Sequence, residues 1–221
     1  MSLYCLPIKA RTIKELEATC VPYADIIEIW LDQFEELDFQ ALKKLQKKIK
    51  KPFLYVLKPK SEKGAFKGTE KERIALLKKS LDFGASYIDV GIKTRTSIGD
   101  LIATARKKHV KTIISYHNFK KTPSAATLAN IYARMRKHKP NVIKFAVKIN
   151  KSTDIGVLFG MIIRAEKDAQ PIITLGMGEK GKITRILAPK LGNYLYYAPL
   201  TKENSTAEGQ LTHAELINYW K

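Results

Sequence analysis

The chain has 221 residues, 45% hydrophobic and 28% charged, which is enough to bury a sizeable core in one large domain or two small ones. It has no apolar run near the roughly 18–20 residues of a membrane span and no signal-peptide pattern. Its two cysteines, Cys5 and Cys20, form no disulfide framework and no metal-ligand spacing. We therefore expect a cytoplasmic protein without a membrane partner. The net charge of +19 is spread over predicted helix faces rather than one patch, so we expect no nucleic-acid partner, whereas an anionic small-molecule substrate would gain from the positive field.

Strand-like segments alternate with helical patterns along the chain. The eight predicted strands, short and rich in β-branched and aromatic residues, are Leu3–Lys9, Ile26–Asp32, Phe53–Lys58, Tyr87–Ile92, Lys111–Asn118, Val142–Lys148, Pro171–Gly178 and Tyr194–Leu200. The predicted helices are Thr12–Pro22, Asp38–Lys50, Thr69–Gly84, Ser97–His109, Ser124–His138, Ser152–Lys167, Ile183–Gly192 and Thr212–Lys221. The predicted N-caps are Asp38, Thr69, Ser97, Ser124, Ser152 and Thr212, and the predicted helix stops are Gly84 and Gly192.

The regular alternation of strands and helices predicts the fold class. A strand that is always followed by a helix is typical of a parallel sheet. Eight such units in one chain of this length favour a closed (β/α)8 TIM barrel, with a doubly wound open sheet as the alternative. No linker or low-complexity segment divides the sequence, so we expect a single domain over residues 1–221.

The two-residue period of a strand predicts which side chains face the barrel interior. Barrel interiors are normally filled with apolar side chains, and burying several charges there is costly unless they are paired or used. Strand seven would add Thr174 and Gly176 to this interior. The ionisable residues predicted to converge there are Glu28, Lys58, Asp89, His117 and Lys144.

His117 and Lys144, on consecutive predicted strands, indicate a type of chemistry. Burial disfavours the charged form of a lysine, and a neutral amine attacks carbonyl carbon. A histidine one strand away can move the protons that imine chemistry requires. The pair therefore predicts a Schiff-base enzyme, which needs no metal and no cofactor.

The segment Gly176–Gly181 matches G-x-G-x-x-G, lies after a strand and precedes a helix. A dinucleotide site is disfavoured because the motif lies in the seventh unit and the next strand does not end in an acidic residue. We interpret it as an anion-binding loop after strand seven of a barrel, where Arg185 in the following helix could bind a carboxylate bidentately.

Several segments, taken in order, resemble type I 3-dehydroquinate dehydratases over nearly the full chain. The segments that carry this resemblance are Glu28–Asp32, Lys58–Gly64, Ser115–Phe119, Ile143–Val147, Gly176–Arg185 and Ser205–Gln210. The resemblance implies that Lys144 forms an imine with the ketone of 3-dehydroquinate, that His117 transfers protons, and that Glu62 orients His117. It further implies that Arg185, Gln210, Ser205 and Thr206 hold the substrate carboxylate, that Glu28 and Lys58 bind ring hydroxyls, and that Trp30 lies in the pocket. A dimer or a monomer is typical of the family.

The sequence also departs from the family pattern at four places. The family usually has arginine at the positions of Trp30 and Lys58, a glycine pair where Lys63-Gly64 stands, and an acidic residue at Gly91. Lysine keeps the charge of arginine but loses its bidentate fork. Two alternatives therefore stay open: an aldolase-like lyase that uses Lys144 on another keto acid, and a catalytically inactive barrel that serves as a binding protein.

Overall fold

The computed structural model describes residues 2–94 and 98–221. The strands in this part of the chain are β1 (Leu3–Ile8), β2 (Ile26–Trp30), β3 (Phe53–Val56), β4 (Ala85–Gly91), β5 (Lys111–Asn118), β6 (Val142–Lys148), β7 (Ile172–Met177) and β8 (Leu195–Tyr197). The α-helices are α1 (Ile13–Thr19), α2 (Phe39–Ile49), α3 (Glu70–Ser80), α4 (Ile98–Lys107), α5 (Ala125–Arg136), α6 (Ser152–Lys167), α7 (Lys182–Leu187) and α8 (His213–Trp220). Short 3-10 turns are found at Leu31–Gln33, Lys60–Glu62 and Glu179–Gly181.

The chain divides into two compact units, and the N-terminal one is Cys5–Thr112. In it β1, β2, β3 and β4 pair in chain order, and each pair is parallel. A register shift between Phe53 and Leu54 marks an irregularity in the pairing of β3 with β4. The apolar side chains of the strands and helices form the core, in which Ile27, Phe53 and Leu42 are fully buried.

The C-terminal unit consists of Ile113–Lys221 and the first residues of the chain through Tyr4. Strands β5, β6 and β7 pair in parallel and in chain order. Next to β8, the amide of Tyr194 donates to the carbonyl oxygen of Ile172 at 2.7 Å, and its own carbonyl accepts from the amide of Leu3 at 3.1 Å. Fully buried Phe145 and Tyr132 lie in the core of this unit.

Several predicted helix starts are confirmed by side-chain caps. Asp38 accepts from the amides of Gln40 and Ala41, and Ser124 accepts from the amide of Thr127. Thr69 and Thr212 each form a reciprocal capping box with the glutamate three residues on. These local hydrogen bonds satisfy amides that have no partner inside the helix, which is why the sequence reveals them.

The predicted bounds of α6, Ser152–Lys167, are confirmed, but its predicted cap and some other predicted ends were wrong. Ser152 is not an N-cap but the first residue of α6, because Asp154 accepts from the amides of Asn150 and Lys151 and so takes the capping role. Helix α7 ends at Leu187, before the predicted stop at Gly192, and β8 is shorter than predicted. The predicted cap Ser97 lies outside the described residues.

The predicted alternation of strands and helices and the parallel pairing within each unit are confirmed. None of the helices in the described part of the chain is long and apolar enough to cross a membrane. The organisation as a single domain over residues 1–221 stays a prediction.

Candidate active site

The strand register of the N-terminal unit places three residues of the predicted site on one face of its sheet. Glu28 pairs with Leu54, and Val56 pairs with both Trp30 and Asp89. Paired residues of parallel strands point to the same side, so Glu28, Trp30 and Asp89 share a face. The prediction that these residues share one strand face is therefore confirmed within this unit.

Lys58 is the centre of a charge cluster on this face. Its Nζ lies 2.7 Å from Oδ1 of Asp89 and 3.4 Å from Oε2 of Glu62, and Lys58 and Asp89 are 4% and 1% exposed. Burial opposes the charge on Lys58, but the carboxylates of Asp89 and Glu62 outweigh this and raise its pKa above the usual range. We call Glu28, Lys58, Glu62 and Asp89 the N-terminal charge cluster.

Gly91 explains how Glu62 enters this cluster. A Cβ at Gly91 would lie 2.6 Å from Oε1 of Glu62, which is closer than real contacts allow. Gly64 is more strictly constrained, since a Cβ there would lie 2.0 Å from the backbone carbonyl oxygen of Lys58. The loop that carries Glu62 therefore depends on glycine at position 64, and Gly91 leaves space for the Glu62 carboxylate.

Trp30 contacts both a carboxylate and a cation. Its indole N–H donates to Oε1 of Glu28 at 2.9 Å, and the ammonium of Lys9 lies 4.4 Å from the ring centroid. Burial lowers the pKa of Lys9, although the carboxylates of Asp32 and Glu28 act in the opposite direction. A positive charge thus lies over Trp30, at the position where the family pattern has arginine.

In the C-terminal unit, His117 and Lys144 lie on the same face of adjacent strands. Ser115 pairs with Lys144, and His117 pairs with Ala146. His117 is half-buried and its ring stacks on Phe119, with centroids 5.9 Å apart. The sheet therefore brings together the two residues that predicted imine chemistry.

The predicted face of strand seven was wrong. Thr174 pairs with Phe145, and Gly176 pairs with Val147, so both lie on the face opposite Lys144. Thr174 binds the side chain of Asn193 through its amide and hydroxyl. The residues of β7 that share the face of Lys144 are Ile173, Leu175 and Met177.

Lys144 is held by a tyrosine that the sequence analysis did not identify. Its Nζ donates to the hydroxyl of Tyr197 at 3.1 Å and lies 4.3 Å from the centroid of the same ring. Both residues are 5% exposed. The signal in the sequence was weak, because Tyr197 is one of several aromatic residues in and around β8.

Arg185 is the second buried cation of this unit. It lies in α7, is 4% exposed, and forms no ion pair with any residue that the structure describes. Its Nε is buried without a hydrogen-bond partner in the described residues. Burial lowers the pKa of Arg185 to about 10, so the guanidinium is charged at neutral pH and suited to bind an anion.

The glycine motif after β7 has a packing explanation. A Cβ at Gly181 would lie 2.5 Å from the carbonyl carbon of Gly176, and the amide of Gly176 donates to the hydroxyl of Thr184 at 2.8 Å. These contacts bring α7 close against the end of β7. The first and last glycines of the motif therefore allow this close approach. Arg185 follows as the fourth residue of α7.

The three polar residues predicted in the loop before α8 come together. Oε1 of Gln210 accepts from the amide of Thr206 at 2.8 Å and from the hydroxyls of Thr206 and Ser205, each at 3.3 Å. The same loop is fixed to the strand ends, because Glu208 pairs with Lys148 at 2.6 Å and its carbonyl accepts from the amide of Gly178.

Three further residues near these groups were missed by sequence reasoning. Arg73 is buried in α3 and donates to the carbonyl of Leu57 and the hydroxyl of Thr94. Lys9 lies over the ring of Trp30, and Met177 shares the strand face of Lys144. An arginine within a polar helix and a methionine at a strand end carry no signal of a site in the sequence alone.

The described residues contain no group of three or more His, Cys, Asp or Glu side chains that could hold a metal ion. The predicted polar residues thus lie in two units: the N-terminal charge cluster in one, and His117, Lys144 and Arg185 in the other. Their convergence in one interior, and their individual roles, stay predictions.

The family model and the curated relatives indicate the same family. The family model of type I 3-dehydroquinase matches residues 4–221. The chain is 33% identical over 226 residues to the bifunctional 3-dehydroquinate dehydratase/shikimate dehydrogenase of Arabidopsis thaliana, covering 99% of this chain but only 37% of that protein. It is 30% identical over 221 residues to the 3-dehydroquinate dehydratase of Coxiella burnetii, covering 98% of this chain and 91% of that protein.

The fold is similar to that of a 3-dehydroquinate dehydratase of known crystal structure. The crystal structure of 3-dehydroquinate dehydratase from Geobacillus kaustophilus superposes with a TM-score of 0.89, covering 99% of this chain and 90% of that one at 22% identity. The likeness confirms the predicted (β/α)8 fold class, in which eight parallel strands alternate with helices.

Proposed function

Because the chain belongs to the type I 3-dehydroquinase family, we propose that it is a 3-dehydroquinate dehydratase. This hydro-lyase of the shikimate pathway, which leads to aromatic amino acids, converts 3-dehydroquinate to 3-dehydroshikimate and water through a Schiff base on Lys144. The observation that carries the proposal is a lysine 5% exposed in the middle of β6, on the same strand face as His117. A buried amine and an adjacent acid–base group are the two parts that imine chemistry needs.

The reaction begins with attack of the Lys144 nitrogen lone pair on the C3 ketone of the substrate. The carbonyl oxygen takes up a proton, and the resulting hydroxyl leaves as water while the nitrogen forms a protonated imine. His117 transfers protons in these steps, because its imidazole can be both donor and acceptor near neutral pH. Glu62 orients this imidazole in the family, and we carry that role over to this chain.

The protonated imine then acts as the electron sink for elimination. His117 removes a proton from C2, and the electron pair moves into the imine to give an enamine. The enamine electrons expel the C1 hydroxyl, which leaves as water with a proton from His117. Hydrolysis of the new imine releases the product and returns Lys144, so protons and electrons balance without a metal or a cofactor.

The substrate is held through its carboxylate and its hydroxyls. Arg185 is the proposed carboxylate partner, which its buried and unpaired guanidinium among the described residues supports. Gln210, Thr206 and Ser205 already share hydrogen bonds and add further polar contacts to the carboxylate. The remaining proposed substrate contacts are Glu28, Trp30 and Lys58.

The experiment that tests this function is intact-mass measurement after borohydride treatment in the presence of 3-dehydroquinate. Wild type should form a substrate-dependent adduct, and Lys144→Ala should not form one. Lys167→Ala, which removes an exposed lysine of the same unit, should form the adduct as wild type does. His117→Ala should still form the adduct while its turnover falls roughly 10²–10⁴-fold.

Two other outcomes would contradict the proposal. Folded wild-type protein without any adduct would exclude the Schiff base. An adduct with other keto acids but no dehydration of 3-dehydroquinate would indicate the aldolase-like lyase. We also propose a cytoplasmic setting, with which the thiols of Cys5 and Cys20 agree. We further propose a homodimer, which light scattering at several concentrations would test.

A further inference from the structure

Tyr197 is the last residue of β8, and its side chain is directed at the amine that the proposed reaction uses. The hydroxyl oxygen accepts from Nζ of Lys144 at 3.1 Å, and the same Nζ lies 4.3 Å from the ring centroid. Both distances are short enough for a hydrogen bond and a cation–π contact. One aromatic side chain thus offers two electron-rich groups to a single nitrogen.

The backbone around Tyr197 is held on both sides. The carbonyl oxygen of Tyr197 accepts from Nε2 of Gln210 at 3.5 Å, and the carbonyl of the next residue, Ala198, accepts from the hydroxyl of Tyr4 at 3.0 Å. Tyr197 itself is 5% exposed. Its ring is therefore fixed in place before a substrate arrives, which is the condition for electrostatic stabilisation without reorganisation.

A lone pair and a π face both favour positive charge at the atom they contact. In the proposed reaction the nitrogen of Lys144 is positively charged in the protonated imine, and that imine keeps one N–H. We infer that Tyr197 is a further catalytic residue, which accepts this remaining N–H and stabilises the protonated imine. The inference rests on the proposed function, because it assigns a role within the same reaction.

The role follows the charge through the reaction. When the imine forms, Nζ exchanges a hydrogen for the substrate carbon but can keep its hydrogen bond to the Tyr197 hydroxyl. When the α-proton is removed, the C–H electron pair forms the C2=C3 double bond, the C=N π electrons move onto nitrogen, and the positive charge disappears. Tyr197 therefore lowers the energy of the charged imine and of the steps that lead to it, while it transfers no proton itself.

A purely structural role makes a different prediction. If the ring of Tyr197 only fills space in β8, then Tyr197→Phe, which keeps the ring and removes one oxygen, would leave the chemistry unchanged. If the hydroxyl stabilises the imine, that variant would lose turnover although its fold is intact. Tyr197→Leu, which also removes the π face, would lose more.

The experiment compares wild type with Tyr197→Phe, Tyr197→Leu and the neighbouring control Tyr196→Phe. Tyr196 stacks on the ring of Tyr4, with centroids 5.3 Å apart, and is half-buried. We expect kcat to fall about tenfold or more in Tyr197→Phe with little change in KM, because a hydrogen bond to a charged group is lost. Tyr197→Leu should fall further, and Tyr196→Phe should match wild type.

The second readout is the rate of reductive trapping with cyanoborohydride as a function of pH. This reagent reduces the protonated imine, which holds its proton less well without the hydroxyl. The trapping rate of Tyr197→Phe relative to wild type should therefore decrease as the pH rises, an effect that a packing role would not produce. Circular dichroism verifies folding, and Tyr197→Gln, which keeps an acceptor oxygen without the ring, provides a second variant.

The outcomes separate this inference from the proposed function. A wild-type adduct together with wild-type turnover and pH dependence in Tyr197→Phe would overturn the role of Tyr197 and leave the function intact. If Tyr197→Phe does not fold, wild-type trapping behaviour in Tyr197→Leu, which lacks both the acceptor oxygen and the ring, would overturn it equally. No adduct in folded wild type would overturn the proposed function and this inference with it.

Discussion

The two units bury their charges in opposite ways. In the N-terminal charge cluster, Lys58 forms ion pairs with Asp89 at 2.7 Å and with Glu62 at 3.4 Å. In the C-terminal unit, Arg185 is just as buried but forms no ion pair with the described residues, and Lys144 contacts the neutral side chain of Tyr197. The charge of Lys58 is thus compensated within the protein, whereas that of Arg185 would be compensated only by an anionic ligand.

This difference determines how the free energy of unfolding responds when either cation is removed. Burying an ion pair gains stability only if both partners are present, and removal of one partner leaves an uncompensated charge. A buried cation without an acidic partner costs desolvation energy in the free protein, which an anionic ligand can return on binding. We therefore expect removal of Lys58 and removal of Arg185 to change the free energy of unfolding in different ways.

The largest expected effect comes from Lys58→Met compared with Arg185→Met. Lys58→Met leaves the carboxylate of Asp89, 1% exposed, without its cation, so the free energy of unfolding should fall by about 3–5 kcal/mol. Arg185→Met should leave the free energy of unfolding unchanged or raise it, because a buried charge without an ion pair is replaced by an apolar side chain. Urea denaturation of both variants measures the difference.

The double variant Lys58→Met with Asp89→Asn is the control for this comparison. It removes both members of the pair, so it should recover part of the stability that Lys58→Met loses. Equal destabilisation by Lys58→Met and Arg185→Met would show that the two regions do not differ as described.

A smaller effect on stability is expected in the C-terminal unit, where the ion pair of Lys148 and Glu208 holds the loop before α8. The two side chains are 26% and 57% exposed, and pairs of this kind contribute about 0.2–1 kcal/mol. In Lys148→Met or Glu208→Gln, amide hydrogen exchange should become faster in residues 203–210. The double variant should be no faster than either single one, and additive effects would mean that the ion pair does not hold the loop.

The smallest expected effect is a pH dependence from His213 in α8. Its ring stacks on Tyr4, with centroids 4.1 Å apart, and burial lowers the pKa of His213 below the ordinary value of 6.5. The unfolded chain thus binds the proton more readily than the folded chain. Stability from this group is complete above pH 6.5 and declines as the pH falls through that value.

The measurement is urea denaturation between pH 7 and pH 5 for wild type, His213→Gln and His109→Asn. His213→Gln should show a weaker loss of stability on acidification than wild type. His109→Asn, which removes an exposed imidazole at a left-handed backbone position, is the matched control. A parallel pH profile for His213→Gln and wild type would rule out this contribution.

Local features were predictable because each depends on neighbouring residues in the chain. The two-residue period of Ile26–Trp30 set the shared face of Glu28 and Trp30, and capping at Asp38 and Thr69 marked the helix starts. The face of β7 on which each residue lies could not be predicted in this way. Thr174 resembles a polar inward residue in the sequence, but its partner Asn193 lies 19 residues away.

The sequence by itself determined the alternation of eight strands and helices and the residue types that imine chemistry requires, because both follow from short-range periodicity and side-chain chemistry. Only the tertiary structure decided that Lys58 is paired with Asp89, 31 residues away, and that Lys144 meets Tyr197, 53 residues away. Contacts over such separations depend on strand register and loop paths. Those are fixed by the packing of the whole unit, and no local pattern in the chain encodes them.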